Sequence, residues 1–145
     1  VKRYGKEGFT RKVIEYLDLE GQMRKWMESL GVEPFPMGYY RGDATAEQLI
    51  KVAEMIPRAN LRDRQNDAPN FEAFLEVARR EPRAIFELYV IPEARADERV
   101  TVDGALVPVD RQDLVEFLKG KAKAEPDEFG EVEVGGAKYV RLWWD

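Results

Sequence analysis

The spacing of apolar residues changes near residue 84, and that change sets the fold class. Up to Pro82 the apolar positions recur at helical intervals; from Ala84 onward they mostly alternate, or run in short β-forming stretches, with one helical interval at 114–118. Helices first and strands afterwards give an α+β domain, not βαβ units with parallel strands. The expected architecture is three N-terminal helices followed by a mainly antiparallel sheet of about five strands, with helices over one face. At 145 residues the chain, 1–145, is read as one domain that can bury a core without disulfides.

The helical half has clear punctuation. Thr10 is placed as an N-cap, with Val13, Ile14 and Leu17 on one face and Gly21 as a break or bend. Met23, Trp26, Met27 and Leu30 continue at i, i+3, i+4, i+7 and are assigned to the core, with Gly31 as the stop. Val32 to Gly42, with Pro34, Pro36 and Gly38, is expected to be an extended connector and not a central strand. Thr45 and Gln48 have capping-box spacing ahead of Leu49, Ile50, Val52, Ala53 and Ile56, and Pro57 ends that helix. Residues 57–68 read as a polar loop. A further helix is expected from Asp67 or Asn70, with Pro69 in its first turn, Phe71, Phe74, Leu75 and Ala78 inward, and Pro82 as its close.

The second half is read as strand, hairpin, helix, hairpin. Residues 84–91 are apolar on both faces and are expected to form a central strand covered on each side. Asp103-Gly104 predicts a tight turn between 99–102 and 105–109, because Asp-Gly tolerates positive φ. Asp110 is expected to cap a helix carrying Leu114, Val115, Phe117 and Leu118, which Gly120 ends. After a charged linker, Gly135-Gly136 joins 131–134 to 137–144 in a second hairpin. The shared Val-x-Val-x-Gly-Ala skeleton of the two hairpins is attributed to common hairpin grammar and not to duplication.

Histidine and cysteine are both absent, which removes the neutral-pH proton shuttle, the usual zinc ligands, thiol nucleophiles and disulfides. The chain shows no Gly-x-Gly-x-x-Gly, no Gly-Lys-Ser/Thr and no calcium-loop pattern, so no cofactor or metal is expected. A net charge of −5 opposes general nucleic-acid binding. No apolar run nears the ~18 residues of a membrane span, and no secretory signal follows Lys2 and Arg3. A start at Val1 suggests missing native residues, and lack of cysteine suits the cytoplasm.

The first candidate site is the loop after Pro57, where Arg58, Asn60, Arg62, Arg64 and Gln65 gather in an acidic chain. Guanidinium forks suit carboxylate or phosphate; the plainer account pairs these arginines with Asp63, Asp67 and nearby glutamates. A second cluster is Glu93, Arg95, Asp97, Glu98 and Arg99. Glu93 or Glu98 could serve as acid/base, and Asp97, Glu98 and Asp103 could offer oxygen ligands; a charged solvated connector is the simpler account. Tyr39-Tyr40-Arg41 could grip a ligand or plug the core. Trp143 and Trp144, neighbours on a strand, should face opposite ways, one inward and one available for an interface.

Three functional readings follow. The leading expectation is a non-catalytic interaction or accessory module that self-associates or meets a protein partner. The alternative is an enzyme or sensor of a small anionic metabolite held by Arg58, Arg62 and Arg64, with Glu93, Glu98 or Tyr89 as acid/base. A nucleic-acid role through that loop with Arg79, Arg80 and Arg83 ranks last.

Overall fold

The computed structural model describes residues 1–33 and 38–145. The fold is α+β: helices α1 (Thr10–Tyr16), α2 (Leu19–Ser29), α3 (Ala46–Ala53), α4 (Phe71–Arg80) and α5 (Gln112–Lys121), with strands β1 (Tyr40–Thr45), β2 (Ile85–Ile91), β3 (Arg99–Pro108), β4 (Glu128–Val134) and β5 (Ala137–Trp143). The strands form one five-stranded sheet of order β1-β2-β3-β5-β4, antiparallel throughout. No helix among the described residues is long and apolar enough to cross a membrane.

Alternation along the strands explains why the sheet has one dry face. Ala44, Phe86, Leu88, Val90, Val100, Val102, Ala105, Val107, Val140 and Leu142 are buried with helix residues Val13, Leu49, Val52, Phe71, Phe74, Leu114 and Leu118 in one core. Trp144 completes it, edge-on to Phe74 at 6.3 Å and donating from Nε1 to the Ala124 carbonyl at 2.9 Å. The opposite sheet face carries Arg41, Asp43, Glu87, Tyr89, Arg141 and Trp143. Residues 84–91 therefore have one fully covered face, while Ile85, Glu87 and Tyr89 on the other are only half-buried.

Local signals held where the backbone itself decides. The Thr45–Gln48 capping box is complete in both directions, Asn70 caps α4 through the Ala73 N–H, and Gly135 and Gly136 take φ of +58° and +81° in the β4–β5 turn. Pro69 lies before that cap, outside the first turn.

Several expectations are corrected. Four α-helices, not three, precede β2, because the first helical run breaks at Asp18 (φ 50°) and not at Gly21; the Asp18 side chain then caps α2 at the Gly21 N–H. Thr10 is the first residue of α1 and not its cap. Met23 and Met27 enter the core, but Trp26 and Leu30 are exposed. The connector includes strand β1 from Tyr40, an edge strand; Pro34 and Pro36 lie outside the described residues. The loop 57–68 contains a 3-10 turn, Arg58–Arg62. Helix α5 has no side-chain cap from Asp110 and runs through Gly120.

The largest correction is at Asp103-Gly104. No turn forms there: both residues lie inside β3. Residues 92–98 already make the connection from β2, so β3 runs on between β2 and β5. Glu87 pairs with Gly104 and Leu88 with Val102, leaving Asp103 as the extra residue of a β-bulge. Gly104 is needed for close approach: a Cβ there would meet Trp143 Cδ1 at 2.9 Å and the Leu142 carbonyl oxygen at 3.1 Å.

Candidate functional site

The five loop residues read as an anion clamp do not converge on one point. Arg58 and Arg62 are exposed and make no ion pair among the described residues. Asn60 is fully buried: its amide donates to the Val100 carbonyl at 2.6 Å and accepts from the Val100 N–H at 2.9 Å. It takes the place of a neighbouring strand, since β5 pairs only with residues 104–108 of β3. Arg64 donates to the Ala68 carbonyl at 3.1 Å. Gln65 accepts from Arg99 at 3.2 Å and from the Thr101 hydroxyl at 3.1 Å. The loop thus serves largely to close the flank of β3.

The two candidate acid/base carboxylates are also tied down. Glu93 is paired with Arg11, which holds its carboxyl below the usual range, away from a neutral-pH base. Glu98 is buried and accepts from the Gly8 N–H, the Thr10 N–H and the Thr10 hydroxyl. Asp97 pairs with Arg95 and Arg99, and Asp103 with Arg41, so Asp97, Glu98 and Asp103 are not brought together. No cluster fit to hold a metal ion occurs among the described residues. Of the terminal pair, Trp144 is enclosed, while Trp143 is half-buried on the opposite face. Of the last arginine group, Arg80 pairs with Asp113 and Arg83 with Glu81 and Asp110, while Arg79 is exposed and makes no ion pair among the described residues.

The open face of the sheet does bring chemistry together. A groove of about 510 Å³ runs from α2 to β4, lined by Trp26, Arg41, Asp43, Glu87, Arg141 and Trp143, among others. Strand alternation places these side chains there. Arg41 and Asp43 lie two apart on β1, opposite Tyr89 and Glu87 of β2. Arg141 and Trp143 lie two apart on β5, with Trp143 opposite both Gly104 and Glu128.

Arg141 grips Glu87 through two nitrogens, at 2.8 and 2.9 Å, and reaches Glu128 at 2.6 Å. Arg41 donates to Asp103 at 2.6 Å, and its guanidinium carbon lies 5.4 Å from the Tyr89 ring centre and 5.8 Å from that of Trp143. Tyr39 stacks on Tyr89 at 5.0 Å. Asp103 is 1% exposed. Burial raises its carboxyl from 3.8 to about 6, against the pull of Arg41. Its Oδ1 and the Trp143 Nε1 are buried and meet no close hydrogen-bond partner among the described residues, yet the indole N–H lies near enough to draw the Asp103 carboxyl down. Asp43 is also raised, by desolvation first and by Glu87 second, although its side chain stays open to the groove.

Sequence reading named Arg41, Asp103 and Trp143 for other reasons and missed Asp43, Glu87 and Arg141. A signal was present for two of them: Glu87 is the lone charge of its strand and Arg141 stands between the apolar Val140 and Leu142, each one step out of phase with the core positions.

The two edges of the sheet differ. On β1, Gln22 of α2 accepts from the Asp43 N–H at 2.7 Å and donates to the Asp43 carbonyl at 3.1 Å, while the Arg41 N–H reaches the Met23 sulfur at 3.2 Å. That edge is closed. On β4 nothing comparable occurs among the described residues; six of its seven residues are exposed, with Phe129 at 54% and Val134 at 44%. Comparison with family models, with curated proteins and with solved structures finds no match for the chain.

Proposed function

We propose that this protein is a non-catalytic interaction module that takes up an extended basic segment of a partner along β4. The observation that carries this reading is the inequality of the two edges: α2 side chains close β1, while β4 presents its outer backbone groups to whatever can pair with them. Charge argues for the kind of partner. Residues 124–134 hold five carboxylates and no basic residue, so a lysine- or arginine-bearing strand fits better than an acidic one. A second copy is disfavoured in the centred antiparallel register, which would set Glu131 against itself. A chain without cysteine suits such work in the reducing cytoplasm.

A labelled heptapeptide of alternating lysine and valine is the test. It should bind saturably and protect β4 amides from hydrogen exchange. Replacing Glu131 and Glu133 together by lysine should weaken it by at least about tenfold, or ~1.4 kcal/mol. Peptide binding that leaves β4 amides unprotected, or ignores the double substitution, overturns strand addition. Light scattering that shows a dimer lost in the same variant would assign the edge to self-association.

One observation favours a second reading: Arg58 and Arg62 are exposed and unpaired among the described residues. If they hold an anionic metabolite, phosphate or citrate should raise the melting temperature saturably, and Arg62→Ala should abolish the rise. No shift with either anion rejects the reading.

A further inference from the structure

The groove on the open face has an imbalance that the fold does not resolve. Four carboxylates, those of Asp43, Glu87, Asp103 and Glu128, stand around two guanidiniums. Arg141 is spent on Glu87 and Glu128, and Arg41 on Asp103. The Asp43 carboxylate accepts no hydrogen bond and joins no ion pair among the described residues. The Asp103 Oδ1, in a side chain only 2% exposed, has no close hydrogen-bond partner among the described residues, with only the Trp143 indole N–H near enough to draw on the carboxyl. Glu87 raises the proton affinity of both Asp43 and Asp103, and Arg41 opposes it at each.

The wall of the groove supplies a second kind of contact. Trp26 lies one turn after Gln22 on α2, so the bonds that fix Gln22 to β1 also hold Trp26 over the groove. It is 46% exposed, unlike its neighbours Met23 and Met27, which enter the core. An exposed indole face beside an unpaired carboxylate suits a flat cation, which can stack on the ring while its N–H groups meet the carboxylate in a plane. A rounded ammonium could use the charge but not the stacking geometry.

We infer that the groove binds a guanidinium group carried on an apolar chain, seated between the Asp43 carboxylate and the Trp26 ring. The group could arrive on a small free guanidine or as an arginine side chain of a partner; the recognition chemistry is the same. The inference does not depend on strand addition at β4.

The experiment compares n-butylguanidinium with n-butylurea, which has nearly the same shape without the charge, by tryptophan fluorescence and calorimetry on the whole chain. Butylguanidinium should saturate with Kd on the order of 1 mM or tighter, and butylurea should give no saturable signal. Asp43→Asn and Trp26→Ala should each weaken binding about tenfold or more; both positions are exposed, and circular dichroism checks that each variant is folded. Equal binding of the two compounds, no saturation by butylguanidinium, or undiminished affinity in folded Asp43→Asn overturns the site.

An arginine–valine heptapeptide separates the sources. If Asp43→Asn weakens that peptide as well as butylguanidinium, the cation is a partner's side chain; if only butylguanidinium is weakened, the site serves a small molecule. The Glu131 and Glu133 double variant should bind butylguanidinium as the parent does, so a failure of strand addition and a failure of this site read out separately.

Discussion

Replacing Glu98 by alanine is expected to cost about 3 kcal/mol of folding stability, since each buried donor left without its acceptor costs about 1–3 kcal/mol. The side chain reads as a possible acid/base or as one more residue of a charged, solvated connector, yet it is 1% exposed. Its carboxylate accepts from the Gly8 N–H at 3.0 Å, the Thr10 N–H at 3.2 Å and the Thr10 hydroxyl at 2.7 Å. These donors belong to the start of α1, which has no cap from its own N-cap residue, Phe9. Glu98 therefore does from 88 residues away what a serine or aspartate normally does locally.

Alanine would leave buried N–H and O–H groups unpaired, and it would release α1, whose Phe9 and Val13 lie in the core. With a Tm change of ~2–4 °C per kcal/mol for a chain of this size, the melting point should fall by roughly 10 °C. Glu98→Gln keeps one acceptor oxygen and should lose clearly less. Chemical unfolding of both variants checks this; a loss under about 1 kcal/mol in Glu98→Ala would mean that water replaces the carboxylate without cost.

What the sequence made legible and what it hid divide along the range of the interactions. The Thr45–Gln48 box, the Asn70 cap, the apolar stripe of α4 and the Gly135-Gly136 turn are each decided within a few residues. Glu98 is the reverse case: its partners lie at Gly8 and Thr10, so nothing in its neighbours announces the role. Asn60 is similar, because its polar loop position conceals the unpaired flank of β3 that it fills. Strand β1 was hidden because Gly42 and Asp43 are poor strand formers; it exists through pairing with β2 and support from Gln22. The groove is the least legible feature. Its lining comes from α2, β1, β2, β4 and β5, and only sheet order brings Asp43, Glu87 and Arg141 together.

Asp103 carries the second large effect, and its sign is opposite to that of most carboxylates. A local reading makes Asp-Gly a turn, but pairing of β3 with β2 and β5 carries the residue into the sheet as a bulge, where it is buried beside Arg41. Burial outweighs the guanidinium and lifts the carboxyl from 3.8 to about 6. Between those values the folded protein holds a proton that the unfolded chain releases. The contribution of Asp103 to stability is thus fully present below about pH 4 and is lost as pH rises through about 6.

At ~1.4 kcal/mol per unit, the swing across this window is about 3 kcal/mol. Asp103→Asn keeps an oxygen for the Arg41 bond and does not ionise. Relative to the parent, the variant should therefore gain about 3 kcal/mol between pH 4 and pH 7, whatever its offset at low pH. Urea unfolding at a series of pH values measures that difference directly. A Glu87→Gln control should shift the parent's midpoint downward, since Glu87 adds to the elevation. A parent-to-variant difference that stays flat from about pH 4 to pH 7 would mean that Asp103 titrates as it does in the unfolded chain. The bulge would then carry a solvated carboxylate instead of a desolvated one.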